Sequence, residues 1–107
     1  MEDRLQKLLG LDGIPNLDCM AYDDLIVFSN ATARSVPESD RLDLAFLMYP
    51  EEEDTERALE VLHMLHTYST NCAQAVRHRS KGDIDQATRF ESRCEMIYRD
   101  LPPYARW

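Results

Sequence analysis

The apolar positions between residues 55 and 101 lie on two helical faces that are separated by a short polar turn. On the first face, apolar or small residues recur at alternating spacings of four and three, at Ala58, Leu62, Leu65, Ser69, Cys72 and Val76. The second face follows the same rule at Ala87, Phe90, Cys94, Ile97 and Leu101. This period is typical of amphipathic α-helices, and each such face needs a partner to cover it. The pattern therefore predicts a long antiparallel helical hairpin, with helices over about 51–81 and 83–101.

Local signals place the hairpin turn at Lys81-Gly82-Asp83. Gly82 follows the predicted helix end, where a left-handed backbone is favoured and a side chain costs energy. Asp83 suits the next N-cap, and Gln86 three residues later would complete a capping box. The acidic residues 51–54 suit the start of the first helix, because they complement the positive end of the helix dipole.

The turn also carries a resemblance. The stretch Lys81-Gly82-Asp83-Ile84-Asp85-Gln86-Ala87 resembles the turn between the two helices of a tetratricopeptide repeat. Ala75 and Cys94 are small where that repeat carries small residues, whereas Asn71 and His78 stand where it carries aromatic ones. The resemblance covers roughly 30 residues in one copy and implies a helical hairpin. The last third of the chain also looks like small phage and environmental proteins, which implies no particular activity.

Weaker patterns before the hairpin predict shorter helices that pack against it. One would cover residues 2–9, which carry leucines on one side. Another would run from about residue 19 to residue 34, with Asp18 as its N-cap. Residues 25–28 within it, Leu-Ile-Val-Phe, would also fit a short strand, but no second strand is present to pair with them.

A further short helix would begin at a cap formed by Ser39 or Asp40 and end at Pro50. The same proline suits the first turn of the long helix that follows. Together these elements predict a single all-α domain over residues 1–107, with four to five helices built on the core hairpin at about 51–101.

The composition limits the possible partners and the location. A net charge of −8 argues against a nucleic-acid partner, because phosphates would be repelled. The longest apolar run, residues 25–28, is too short to span a membrane, and residues 1–4 are too acidic for a secretory leader. Cys19, Cys72 and Cys94 are odd in number and unevenly spaced, so they do not indicate a disulfide framework. We expect a cytoplasmic protein, with Cys72 and Cys94 acting as small hydrophobic residues on the helix faces.

Metal-like spacing occurs at Glu60, His63 and His66. A glutamate and a histidine three residues apart point to one side of a helix, as in carboxylate-bridged di-iron bundles. The partner helix offers glutamates but carries Tyr98 where a second histidine would be needed. The alternative interpretation is that the histidines are partly exposed polar residues beside the apolar face. The nucleophiles, bases and glycines share no catalytic spacing, so no catalytic residue or cofactor is predicted.

The long helix is apolar over a wider surface than one partner can cover. A second stripe beside the first consists of Val61, Met64, Tyr68 and Ala75. Monomers seldom expose such a stripe, and a closed two-fold dimer is the commonest remedy. The alternative is that the shorter helices cover the stripe within one chain, through Leu25, Ile26, Phe28, Leu44 and Leu47.

The C-terminal tail combines aromatic residues with arginines. Tyr98, Tyr104 and Trp107 lie beside Arg99 and Arg106, which is the composition of interface anchors. The tail therefore either folds back over an open end of the hairpin or binds a partner as an exposed segment.

These patterns lead to three functional hypotheses. The first is a non-enzymatic helical interaction module that forms a homodimer and binds a protein partner, with interface candidates at the stripe and at the two tail aromatics. The second is a small helical metal-binding protein or enzyme that uses the glutamate and the two histidines of the metal-like spacing. The third, which rests on charge alone, is an acidic mimic that blocks a nucleic-acid-binding protein.

Overall fold

Four α-helices and two short 3₁₀ turns make up the part of the chain that the computed structural model describes, residues 14–107. The helices are α1 (Tyr22–Thr32), α2 (Glu38–Met48), α3 (Thr55–Ser80) and α4 (Ile84–Asp100), and the 3₁₀ turns are Leu17–Cys19 and Pro103–Ala105. No strand occurs in residues 14–107, and residues 25–28 lie inside α1. The all-α prediction is confirmed. The helix predicted over residues 2–9 lies outside the described residues.

The hairpin turn has the predicted geometry. Gly82 has φ +81°, and its N–H donates to the Arg79 carbonyl at 3.1 Å, while the N–H of Asp83 donates to the His78 carbonyl at 2.9 Å. This pair of bonds is a Schellman motif, which ends α3 with a left-handed glycine. Asp83 then caps α4 by accepting the N–H of Gln86 at 3.3 Å. The reciprocal half of the predicted capping box is not made, because the N–H of Asp83 already bonds to His78.

The start of α3 lies later than predicted. Asp54 accepts hydrogen bonds from the N–H groups of Glu56 and Arg57 at 2.9 and 3.3 Å, so the helix begins at Thr55 and not near residue 51. Pro50 lies in a turn before this cap and not in the first turn of the helix. Only the last of the four acidic residues can reach the free N–H groups, and that residue determines where the helix begins.

The predicted caps of the two shorter helices are wrong. Asn16, and not Asp18, caps the first 3₁₀ turn, by accepting the N–H of residue 18 at 3.0 Å. The carboxylate of Asp18 instead accepts hydrogen bonds from the side chains of Tyr68 and Trp107. Helix α1 therefore starts only at Tyr22, without a side-chain cap. Helix α2 starts at Glu38 directly after Pro37, before the predicted cap at residue 39 or 40.

Helix α3 lies at the centre of the fold and contacts the other three helices. Buried hydroxyls join it to α1, because Ser29 and Ser69 are hydrogen-bonded at 2.7 Å. Tyr49, at the end of α2, is fully buried and donates its hydroxyl hydrogen to the Ala58 carbonyl at 2.8 Å. The shared hydrophobic core consists mainly of Leu17, Phe28, Leu44, Met48, Val61, Leu62, Leu65 and Leu101. No helix within residues 14–107 is long and apolar enough to cross a bilayer.

The stripe predicted as a dimer surface is covered by the chain itself. Val61, Tyr68 and Ala75 are only 0%, 4% and 5% exposed, and Met64 is half-buried against the core. As interface candidates, these residues are therefore corrected to core residues. Leu47, which was expected to help cover the stripe, is 55% exposed, whereas α4 and the C-terminal tail pack against Tyr68 of the stripe.

The C-terminal tail folds back onto the chain. Leu101 and Ala105 are buried in the core. Tyr104 packs against Tyr49 with ring centroids 5.7 Å apart, and its hydroxyl donates to Glu52. Burial and this hydrogen bond raise the pKa of Tyr104 to about 12, while the same bond lowers the pKa of Glu52. Tyr104 is therefore an internal anchor, and its candidacy as part of an exposed interface is corrected.

Candidate binding groove

An open groove of about 680 Å³ runs between the C-terminal half of α3 and the facing side of α4. Helices α1 and α4 both pack against α3. The apolar lining consists of Tyr68, Cys72, Ala75, Val76, Cys94 and Tyr98. The charged lining, which is exposed, consists of Asp18, Arg79, Glu91, Glu95 and Arg99. A concave apolar surface edged by charges of both signs is typical of a binding site.

The tail aromatic Trp107 packs against three of the residues that line the groove. Its ring packs edge-on against Tyr68 and Tyr98, with centroids 4.7 and 4.9 Å apart. Its indole N–H donates to Asp18 at 3.0 Å, and the Tyr98 hydroxyl donates to the Trp107 carbonyl at 2.7 Å. Burial and the hydrogen bond to Asp18 raise the pKa of Tyr68. Trp107 is therefore half-buried beside the groove lining and is not the exposed interface residue that was predicted.

Two cysteine thiols line the groove. Cys72 donates to the Leu17 carbonyl and Cys94 to the Tyr68 carbonyl, both at 3.6 Å. The Cys94 side chain lowers the pKa of Cys72, whereas the Cys72 side chain and burial raise the pKa of Cys94. Cys94 is buried, as expected for a helix-face cysteine, whereas Cys72 is only half-buried. Cys19 is exposed and does not line the groove.

The charges along the groove are partly paired. Arg79 and Glu91 bridge α3 and α4 with an N–O distance of 2.5 Å. Glu95 and Arg99 lie one turn apart on α4, and neither forms an ion pair with any residue of the described part of the chain. The groove therefore presents one unpaired acid and one unpaired base next to each other on an exposed helix.

The metal candidates Glu60, His63 and His66 do not form a metal site. The Glu60 carboxylate pairs with Arg57 at 3.3 Å. The His66 Nδ1 lies 2.9 Å from the Ser29 carbonyl, to which it donates. The two histidine rings stack at 5.9 Å instead of converging on one point. Within residues 14–107, no group of three or more His, Cys, Asp or Glu side chains could hold a metal ion. The metal prediction is therefore corrected.

Sequence reasoning missed the charged lining of the groove. The sequence patterns did not single out Arg79, and they pointed to the glutamates of the second hairpin helix only as possible metal ligands. A signal was present in the sequence, because Glu95 and Arg99 are four residues apart and flank Tyr98 on a helix with few buried residues. The missing information was which side of α4 stays uncovered, and this depends on how α1 and the tail pack.

Comparisons of the chain with models of protein families, with curated proteins and with solved structures gave no match. The resemblance of residues 81–87 to a tetratricopeptide turn therefore stays a prediction.

Proposed function

We propose that this protein is a non-enzymatic helical interaction module whose partner in the groove is a second copy of the chain. The observation that carries the proposal is that α4 exposes two neighbouring opposite charges, Glu95 and Arg99. Neither of them forms an ion pair within the described part of the chain. No histidine lies in the groove to activate its thiols, which supports binding and not catalysis. The three free thiols support a cytoplasmic location, where thiols are kept reduced.

A two-fold axis would make this surface complementary to itself. If two α4 helices packed antiparallel, Glu95 of each copy would face Arg99 of the other. The two-fold symmetry would then produce two identical ion pairs. Each exposed ion pair contributes only up to about 1 kcal/mol to the free energy of dimerisation. The charges therefore determine the relative orientation of the two copies more than the affinity.

Apolar burial would supply most of the affinity. Five large hydrophobic residues are exposed in residues 14–107, and three of them lie on the α3–α4 hairpin: Val76, which lines the groove, and Ile84 and Met96, which do not. A stable interface buries roughly 1,200–2,000 Å² in total, so the contact must extend from α4 along the groove to Val76. This surface keeps Tyr68 and Ala75 of the predicted stripe, which line the groove, but leaves out Val61 and Met64, which do not.

Charge reversal tests the arrangement. We expect sedimentation equilibrium at micromolar concentration to show a dimer of the 12.5 kDa chain. Glu95→Arg and Arg99→Glu should each weaken dimerisation by about tenfold, because like charges then meet at both copies of the contact. The double variant should restore dimerisation, because the pairs are re-formed with their signs exchanged.

Arg93→Glu serves as the matched control. Arg93 is an equally exposed arginine on another side of α4, where it lies 5.0 Å above the Phe90 ring, so its reversal should leave the dimer intact. A wild-type chain that stays monomeric would overturn the proposal. So would a dimer that the single reversals leave unchanged, because the contact would then lie on another surface.

A further inference from the structure

The end of α1 lies beside the middle of α3 in an antiparallel register. Ser29 and Ser69 are hydrogen-bonded at 2.7 Å, and the Thr32 hydroxyl lies 3.2 Å from the Nδ1 of His66. Moving three residues forward along α1 therefore corresponds to moving three residues back along α3. One further step in this register leads to the turn at residues 33–36 on one side and to the preceding turn of α3 on the other.

Three basic side chains from three different elements lie at this place. Arg34 belongs to the turn, which is closed by a backbone hydrogen bond of 3.0 Å between its two ends. Arg41, in the first turn of α2, donates its Nε–H to the Val36 carbonyl at 3.0 Å, so its guanidinium lies against the same turn. His63 belongs to α3, where its ring stacks on that of His66 with centroids 5.9 Å apart. We call Arg34, Arg41 and His63 the basic junction.

The positive charge of the basic junction is not neutralised by the described part of the chain. Neither Arg34 nor Arg41 forms an ion pair within residues 14–107, and the exposed carboxylates of Glu38 and Asp40 on α2 pair with neither. Burial lowers the pKa of His63 most, the charges of the two arginines lower it further, and no carboxylate raises it. A bound anion would relieve the repulsion among these groups.

His63 presents a hydrogen-bond donor to such an anion. Its Nδ1 is buried without a partner, so a proton on this nitrogen would lack an acceptor. The neutral ring therefore carries its proton on Nε2, the nitrogen at the accessible edge of the half-buried ring. On α3 itself, the stacked His66 also lowers the pKa of His63, whereas Glu60 is paired with Arg57 at 3.3 Å.

We propose that the basic junction binds the phosphate group of a small molecule, through the guanidinium groups of Arg34 and Arg41 and the Nε2–H of His63. The planar fork of arginine donates two parallel hydrogen bonds to an oxyanion, which favours phosphate over a spherical anion such as chloride. Arg34 is exposed, so a phosphate that is part of a larger molecule can also reach the site. None of the three residues lines the α3–α4 groove, so this site is separate from the proposed dimer contact.

Isothermal titration calorimetry of the full chain at constant ionic strength tests the site with inorganic phosphate and with glycerol phosphate. We expect saturable binding of one phosphate group per chain at millimolar concentrations. Binding of both compounds identifies a phosphate monoester as an acceptable ligand, whereas binding of inorganic phosphate alone assigns the site to the free anion. Absence of binding by both compounds would overturn the proposal.

Matched arginine variants test the position of the site. Arg34→Gln and Arg41→Gln should each weaken phosphate binding by about tenfold, because each removes charge-assisted hydrogen bonds. Arg89→Gln removes an exposed arginine of α4 and should leave the affinity unchanged. A loss in the Arg89 variant as large as in the other two would contradict the site, because binding would then follow the total charge of the chain.

Sulfate tests the role of His63, because this anion does not titrate in the histidine range. The wild-type chain should bind sulfate more tightly at pH 5.5 than at pH 7.5, on either side of the ordinary histidine pKa of about 6.5, because protonated His63 adds a positive charge. His63→Gln should bind sulfate at pH 7.5 and lose this increase, because its amide donates a hydrogen bond but takes up no proton. His66 and His78 remain in this variant, so an unchanged increase would show that His63 does not contact the anion.

Discussion

His63 shows how a single side chain can make stability depend on pH. Its Nδ1 is buried and has no hydrogen-bond partner, alone among the side-chain polar atoms of residues 14–107. Burial lowers its pKa below 6.5, and the positive charges of Arg34 and Arg41 act in the same direction. The unfolded chain therefore takes up a proton at His63 at a higher pH than the folded chain does. It follows that the folded state loses stability as the pH falls through 6.5.

We expect the free energy of unfolding to decrease between pH 7.5 and pH 5.5, a window around the ordinary histidine value of about 6.5 in which most carboxylates stay ionised. His63→Gln should reduce this decrease, because glutamine cannot take up the proton. Urea denaturation at several pH values measures both slopes. Equal slopes in the two proteins would show that another group causes the pH dependence.

At the scale of the elements, the hairpin turn depends on the backbone of one residue. Gly82 is the only residue of the described part with a positive φ, and a Cβ placed there would meet no atom within 4 Å. Any cost of a larger side chain must therefore come from backbone strain and not from a steric clash with neighbours.

Gly82→Val should lower the free energy of unfolding by about 1–2 kcal/mol, because valine resists the left-handed conformation. Gly82→Asn is the matched control and should cost less, because asparagine tolerates this conformation. The midpoints of urea denaturation compare the two variants. Equal losses would contradict the strain argument.

The elements also show how far the sequence predicted the fold. The hairpin was predicted because its signals are local: a helical period, Gly82 and the cap at Asp83 all act within one or two turns. The start of α1 was not predicted. Aspartate is a favoured N-cap residue, but Asp18 instead accepts hydrogen bonds from Tyr68 and Trp107. Contacts between residues that are distant in the sequence therefore determine where α1 begins, and a local sequence pattern cannot predict such contacts.

At the scale of the whole molecule, Asp18 joins the beginning and the end of the described chain. It accepts a hydrogen bond from Trp107, which is 89 residues away, and another from the buried Tyr68. The candidate site depends on this link, since Asp18 lines the groove and Trp107 packs against two further residues of its lining, Tyr68 and Tyr98. The sequence left open whether the tail folds back, because the outcome depends on these distant partners.

Asp18→Ala should lower the free energy of unfolding by about 1–3 kcal/mol, since the buried Tyr68 hydroxyl loses its acceptor. Asp43→Ala removes an exposed carboxylate of α2 and should change stability by no more than about 0.5 kcal/mol. Urea denaturation of both variants checks the difference. A loss no larger than that of the control would show that the link contributes nothing to stability.

The position of Trp107 beside the groove has a spectroscopic consequence. Trp107 is the only tryptophan of the sequence, and it is held between two tyrosine rings and a carboxylate. Its fluorescence therefore originates from one known place. Tyr68 and Tyr98 lie close enough to the indole ring to transfer absorbed energy to it. A copy of the chain that enters the groove or a tail that detaches would each change this signal. The unlabelled protein thus carries an intrinsic optical reporter at the mouth of its own candidate site.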